Sequence, residues 1–208
     1  SVLLHHLVGL LKPDAGEIYF KGERVDSLGE RALIPMRRQM GLLFQGGALF
    51  DSMTVEENIV FPMQTHNVGS AQQRRDRCAE VLHQVGLGDM QRRLPSELSG
   101  GQQKRVALAR AIVLKPDIIY YDEPTTGLDP IRADVVNELI LKLSRELGNT
   151  AVVVTHDLAS ARKVGDRIVM LHDGQFCLDT TPEKLDDTTN PVVQGFIQGR
   201  SEGTTQGI

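Results

Sequence analysis

With 208 residues, 40% of them hydrophobic and 24% charged, the chain is long enough to bury a sizeable core as one domain, or one domain with a subdomain. That balance excludes collagen-like, disordered and disulfide-scaffold classes, and a net charge of −4 argues against a broad basic surface for nucleic acid, a local patch such as Arg74, Arg75 and Arg77 aside. Cys78 and Cys177 have no metal or redox spacing, no apolar run approaches the roughly 20 residues that span a bilayer, and nothing after Ser1 resembles a signal peptide; the expectation is an intracellular globular protein whose membrane role would run through a partner.

Val2 to Leu11 reads as a helix, stopped by the turn cluster Lys12-Pro13-Asp14-Ala15-Gly16. Glu17 to Lys21 alternates like a strand, with a hairpin partner at Glu23 to Val25. A helix over Arg31 to Arg38 and a compact strand over Met40 to Gln45 follow. Thr54-Val55-Glu56-Glu57 is a capping box opening a short helix that Pro62 should end. Ser70 with Gln73 opens another, running to about Val85 with the arginines on its polar face.

Ser99 starts a helix that reaches Leu114 and stops at Lys115-Pro116-Asp117. Ile118-Ile119-Tyr120-Tyr121 is an unbroken apolar run, the pattern of a parallel strand buried on both faces. Asp129 and Pro130 supply a cap and a first helical residue for a helix to Leu147. Ala151 to Thr155 reads as a second buried strand, leading through His156-Asp157 into a helix ending at Val164. Ile168 to Leu171 and Phe176 to Leu178 form a hairpin around Asp173-Gly174. Strands alternating with helices predict an α/β fold with a largely parallel sheet. Residues 69–114 carry helices and no strand, and are expected to form a helical subdomain within a single domain over 1–208.

Four sites stand out along this order. Leu98-Ser99-Gly100-Gly101-Gln102 opens a helix: Ser99 can cap exposed N–H groups, the glycines let an anion reach the main chain, and the helix dipole favours negative charge. Asp122-Glu123 ends one parallel strand and His156 follows the next, at the sheet edge where α/β proteins bind ligands. One carboxylate there suits a hydrated Mg²⁺ and the other a water nucleophile, with histidine bracing the water or terminal phosphate. Gln45, in the loop after an earlier strand, would reach the same metal or water. Singly, each is more often a solvated turn, cap or strand terminus. Their joint order carries the argument.

With these residues in place, the chain resembles the ATP-binding-cassette ATPases over nearly its whole length. Leu98 to Gln102 is similar to the family signature, Ile118 to Asp122 to the Walker B strand, and Glu123 to the catalytic glutamate. Gln45 matches the Q-loop, Gly127-Leu128-Asp129 the D-loop and His156 the switch histidine. The resemblance implies a P-loop-type ATPase fold and the cofactors ATP and Mg²⁺. It also implies a homodimer in which the signature of one subunit closes on nucleotide held by the other.

The family's phosphate cradle, GxxxxGK[ST], does not occur in residues 1–208. By the resemblance Ser1 corresponds to its last residue, the Mg²⁺-binding hydroxyl. The rest of the cradle and the N-terminal strands would lie upstream, and residues 1–208 alone are expected to bind ATP poorly. The run Leu43 to Ser52, the stretch Tyr121 to Ile131, and Asn190-Pro191 leading to Phe196-Ile197-Gln198-Gly199 resemble the Mla-type phospholipid-trafficking branch. That branch implies an MlaE-like permease, an Mce-domain substrate-binding protein, and a place on the cytoplasmic face of the bacterial inner membrane. Leu49 and Phe50 would meet the permease beside the Q-loop. An importer of amino acids or other small solutes is the alternative. A nucleic-acid-linked cassette ATPase fits less well, since Gln45 and Ser99 are too close for a coiled-coil or zinc-bearing insertion, and no nucleic-acid partner is expected.

Overall fold

The computed structural model describes residues 1–200, which fall into two compact units, Ser1–Val154 and the segment from Thr155 onward. In chain order the first unit contains α1 (Val2–Leu7), a short antiparallel pair β1 (Tyr19–Phe20) and β2 (Glu23–Arg24), α2 (Glu30–Arg37), β3 (Met40–Leu43), α3 (Val55–Thr65) and α4 (Ala71–Gln84). α5 (Gly100–Ile112), β4 (Ile118–Asp122), α6 (Pro130–Leu147) and β5 (Thr150–Val154) complete it. The expected α/β architecture is present: β3, β4 and β5 form a parallel sheet in that order.

Alternation along β4 divides the core. Ile119 and Tyr121 are buried with the apolar faces of α3, α4, α5 and α6, whereas Tyr120 packs with Leu4 and Val8 of the α1 segment. The register sets Leu43 opposite Tyr121 and Asp122 opposite Val154. All three strands therefore end at one edge.

Several boundaries differ from the sequence pattern. α1 stops at Leu7, not Leu11. Gly9 turns left-handed there (φ 74°), and Arg37 donates to the carbonyls of Val8 (3.1 Å) and Gly9 (2.7 Å). Pro62 lies inside α3 instead of ending it. An interior proline costs about 3 kcal/mol, but Val55, Ile59, Val60 and Met63 on the same helix are buried in the core, and that burial outweighs the lost bond. The predicted capping boxes at Thr54 and Ser70 form, the predicted cap at Ser99 forms as one half of a further box with Gln102, and α6 has the predicted limits with Asp129 as its cap. β5 is half-buried, not fully buried. Arg77, expected on the polar face of α4, points inward and caps the far end of α5, donating to the carbonyls of Ile112 (2.9 Å) and Val113 (3.0 Å).

The second unit contains α7 (Leu158–Val164), the antiparallel hairpin β6 (Ile168–His172) and β7 (Gln175–Thr180), and α8 (Pro191–Ile197). Asp173 (φ 46°) and Gly174 (φ 75°) make its turn. Two left-handed residues in succession match the right-handed twist of the flanking strands, as the Asp-Gly pair predicts. Among the described residues, no helix is long and apolar enough to cross a membrane.

Candidate functional site

Asp122 ends β4, is only 6% exposed, and accepts a hydrogen bond at Oδ1 from Ser1 Oγ at 2.9 Å. The packing of Leu4 and Val8 beneath Tyr120 is what brings the start of α1 to this strand end. Glu123 follows with φ 50°, a left-handed backbone that costs a non-glycine residue about 1–2 kcal/mol. Hydrogen bonds hold it there: its N–H donates to the Val154 carbonyl (2.9 Å), and its carbonyl accepts from the Thr126 N–H (3.3 Å). Thr126 Oγ1 also donates to the Glu123 carboxylate at 2.9 Å.

Gln45 is exposed, two residues beyond β3. Its loop turns through left-handed Gly47 (φ 76°) and Ala48 (φ 48°) and is held by two cations of α5. Arg110 donates to the carbonyls of Gly47 (2.7 Å) and Ala48 (2.8 Å), and its guanidinium lies 5.9 Å from the Phe50 ring centroid. Lys104 donates to the Gln45 carbonyl and, at 3.5 Å, to the Glu123 carbonyl. Burial lowers the pKa of both cations; for Lys104 the nearby charges of Glu123 and Asp122 oppose the effect. Beyond the loop, fully buried Asn58 accepts from the Phe50 N–H (2.8 Å) and donates to the carbonyls of Phe50 (3.1 Å), Met53 (3.0 Å) and Thr54 (3.0 Å).

Lys104, Arg110 and Asn58 escape a reading of the sequence alone, because a charged or amide residue in a helix reads as solvent-facing. The readable hint is the small residues beside them. Ala107 and Ala111 share a face of α5 with Lys104, and that face meets Gly47 and Gly41 closely enough for the cations to reach past them.

The Leu98 to Gln102 segment divides between anchor and open terminus. Leu98 is buried in the core. Ser99 is the exposed N-cap of α5: its Oγ accepts from the Gln102 N–H (3.4 Å) while its own N–H donates to Gln102 Oε1 (2.9 Å). A Cβ placed on Gly100 or Gly101 would meet no atom within 4 Å, so a bulky anion can approach the start of the helix, where the dipole is positive. Asp129 caps α6, accepting from the Arg132 N–H (3.0 Å) and pairing with the Arg132 side chain (3.2 Å). The structure thus joins Ser1 to Asp122, and Gln45 to Glu123 through Lys104.

His156 belongs to the second unit, exposed, two residues past the end of β5. Next to it Asp157 caps α7, accepting from the Ala159 N–H (2.9 Å) and the Ser160 hydroxyl (2.7 Å). The Ser160 bond is the main reason its carboxyl sits below the usual range.

Among the described residues, no three His, Cys, Asp or Glu side chains gather to hold a metal ion. The Ser1 hydroxyl beside the Asp122 carboxylate is instead a pair of hard oxygen donors. That suits Mg²⁺, which keeps several waters and takes one or two protein oxygens together with substrate phosphates. The residues present fit that ion.

Residues 1–126 match the family described as ABC transporter. The "Probable ribonucleotide transport ATP-binding protein mkl" of Mycobacterium leprae is 39% identical over 98% of this chain, which spans 58% of that relative's length. The "Intermembrane phospholipid transport system ATP-binding protein MlaF" of Escherichia coli is 38% identical over 98% of this chain and 76% of its own length. Among solved structures, the dimeric post-hydrolysis state of the ATP-binding cassette MJ0796 bound to ADP and Pi superposes with a TM-score of 0.79 at 36% identity, covering 87% of this chain and 79% of that one. With its parallel sheet, its Asp122-Glu123 strand end and its capped LSGGQ helix, the chain belongs to the ABC transporter ATPase family.

Proposed function

We propose that this chain is the ATP-hydrolysing subunit of a transporter that moves phospholipid between membranes. The observation that carries the hydrolytic part is the Ser1–Asp122 hydrogen bond of 2.9 Å beside the left-handed turn at Glu123. The phospholipid part rests on the 38% identity to MlaF over 98% of the chain, together with the run from Leu43 to Ser52 and the Asn190 to Gly199 segment.

In this reading Ser1 Oγ and Asp122 hold the metal, directly or through its waters, and Mg²⁺ when bound supplies charge neutralisation for the phosphates. Glu123 orients and polarises the attacking water, with one carboxylate oxygen steadied by Thr126. Gln45 senses the metal and water from its loop, and His156 braces the terminal phosphate. Ser99, Gly100, Gly101 and Gln102 present their helix terminus to nucleotide on a second copy, where the backbone N–H groups stabilise the transferring phosphoryl group. Leu98 seats that terminus in the core, and Asp129 shapes the loop beside it. Residues 69–114 act as a helical subdomain carrying the signature. The Gln45 to Asp51 loop would receive an MlaE-like permease at the cytoplasmic face of the inner membrane, with an Mce-domain protein handling the lipid.

Glu123→Gln, made in protein with a P-loop segment ahead of Ser1, should abolish turnover while ATP-bound dimers persist. Near-normal hydrolysis would sink the catalytic assignment. A second reading, transport of a small solute, is favoured by the name of the relative mkl at 39% identity. Reconstitution with the MlaE-like permease separates the two. ATP-dependent transfer of labelled phospholipid between liposomes supports the first, and uptake of labelled ribonucleotide without lipid transfer supports the second.

A further inference from the structure

Exposed Ser99 of the proposed signature is the N-cap of α5, and Lys104 lies five residues further on, about 7.5 Å along the helix axis. Lys104 is 9% exposed and ends between two backbone carbonyls, those of Gln45 and Glu123. Gln45 follows β3 and Glu123 follows β4, so one ammonium spans the loops that leave two neighbouring strands. An ammonium has no acceptor lone pair and carries three donors. It can therefore serve two carbonyls at once, as a hydroxyl with its single donor cannot. Its burial is opposed by desolvation and favoured by the charges of Asp122 and Glu123, a cost that apolar packing at this position would avoid.

Both loops it holds contain a left-handed non-glycine residue, Ala48 in the Gln45 loop and Glu123 in the other. Glu123 sits at φ 50°, and its carbonyl accepts from the Thr126 N–H and from Lys104. The Gln45 loop is held at its far side by Arg110 of the same helix. Both loops are thus fastened to α5, whose first turn is the open anion-binding terminus.

We propose that Lys104 is a positioning residue that ties the Gln45 loop to the Glu123 turn. Movement of α5 when its signature engages phosphate is thereby transmitted to both. The inference rests on the roles of Gln45 and Glu123 proposed above and adds the element that links them.

The test uses protein with a P-loop segment ahead of Ser1 and compares Lys104→Met with Lys104→Arg, reading kcat, nucleotide Kd and thermal midpoint. Misplacing a catalytic group by about 1 Å can cost ~100-fold in rate. Lys104→Met is expected to lower kcat by about 10- to 100-fold, with Kd within about twofold of wild type, and Lys104→Arg, which keeps the charge and more than one donor, should recover most of the loss. Wild-type kcat in Lys104→Met would overturn the proposal. A loss that tracks a falling midpoint and weaker nucleotide binding, with no rescue by arginine, would equally overturn it by making Lys104 a merely structural residue. Glu123→Gln run in parallel separates the two levels: if that variant still turns over, the catalytic reading fails; if it is dead while Lys104→Met is unimpaired, only the Lys104 link fails.

Discussion

Gly41 of β3 lies so close to α5 that a Cβ built on it would stand 2.6 Å from the Ala111 carbonyl oxygen and 3.2 Å from Pro116 Cγ. The nearer atom belongs to the helix backbone, so no rotamer change can relieve the contact. Gly41→Ala must push α5 away from the sheet, and overpacking of this kind costs about 1–3 kcal/mol. A urea titration should show a lower midpoint with an unchanged slope. A wild-type midpoint would mean that helix and strand do not approach this closely.

Tyr121 makes the opposite case. Its ring is fully buried, but among the described residues its hydroxyl has no hydrogen-bond partner, and burial raises the pKa of the phenol. Tyr→Phe at a satisfied buried site loses a hydrogen bond; here it removes a desolvated group that gains nothing on folding. Tyr121→Phe is expected to be neutral or to stabilise by up to about 1 kcal/mol, read as an unchanged or raised denaturation midpoint. A loss of more than ~1 kcal/mol would show that the hydroxyl is satisfied after all.

Local chemistry explains why so much of the chain is readable. The capping boxes at Thr54 and Ser70, the Ser99 cap, the Asp129-Pro130 start of α6 and the Asp173-Gly174 turn each depend on residues within four positions, and all form where the pattern puts them. The misreadings share a cause. Pro62 stays helical and Arg77 turns inward because of what lies across the fold: buried neighbours in one case, the carbonyls of Ile112 and Val113 in the other. The site divides in the same way. The LSGGQ run and the Asp122-Glu123 pair are contiguous and visible, whereas the link from Lys104 to Gln45 spans 59 positions. Only the packing of α5 on β3 creates it.

Cys78 should make stability fall at high pH. Burial in the α3, α4 and α5 core pushes its thiol up to about 12, while in the unfolded chain it ionises near an ordinary value of about 8.5. Above that value the unfolded state binds fewer protons than the folded one, so folding weakens as pH rises towards 12, by about 1.4 kcal/mol per pH unit for this single group. Stability measured from pH 8 to 10.5 should decline more steeply in the native protein than in Cys78→Ala. Parallel slopes would show that the thiol does not stay protonated in the fold. The same burial predicts slow labelling of Cys78 by a thiol reagent at neutral pH.

The proposal that Ser99 and Glu123 of different subunits serve one site is tested by mixing two inactive variants, each with a P-loop segment ahead of Ser1. Ser99→Asp keeps a good helix cap, since aspartate accepts the same N–H bond, but sets a negative charge against the phosphate. Glu123→Gln keeps shape and loses the carboxylate. Each homodimer has both sites defective. In a mixed dimer, one site joins the intact Glu123 of the first variant to the intact Ser99 of the second, and the other site collects both defects. If subunits exchange freely at equal concentration, half the dimers are mixed and each has one good site of two, so about a quarter of wild-type turnover should return, provided that the two sites fire independently. If signature and carboxylate served the same subunit's nucleotide, no mixture would recover. Activity that rises on mixing and is lost when the subunits are cross-linked as homodimers beforehand would place Ser99 opposite the second copy's nucleotide.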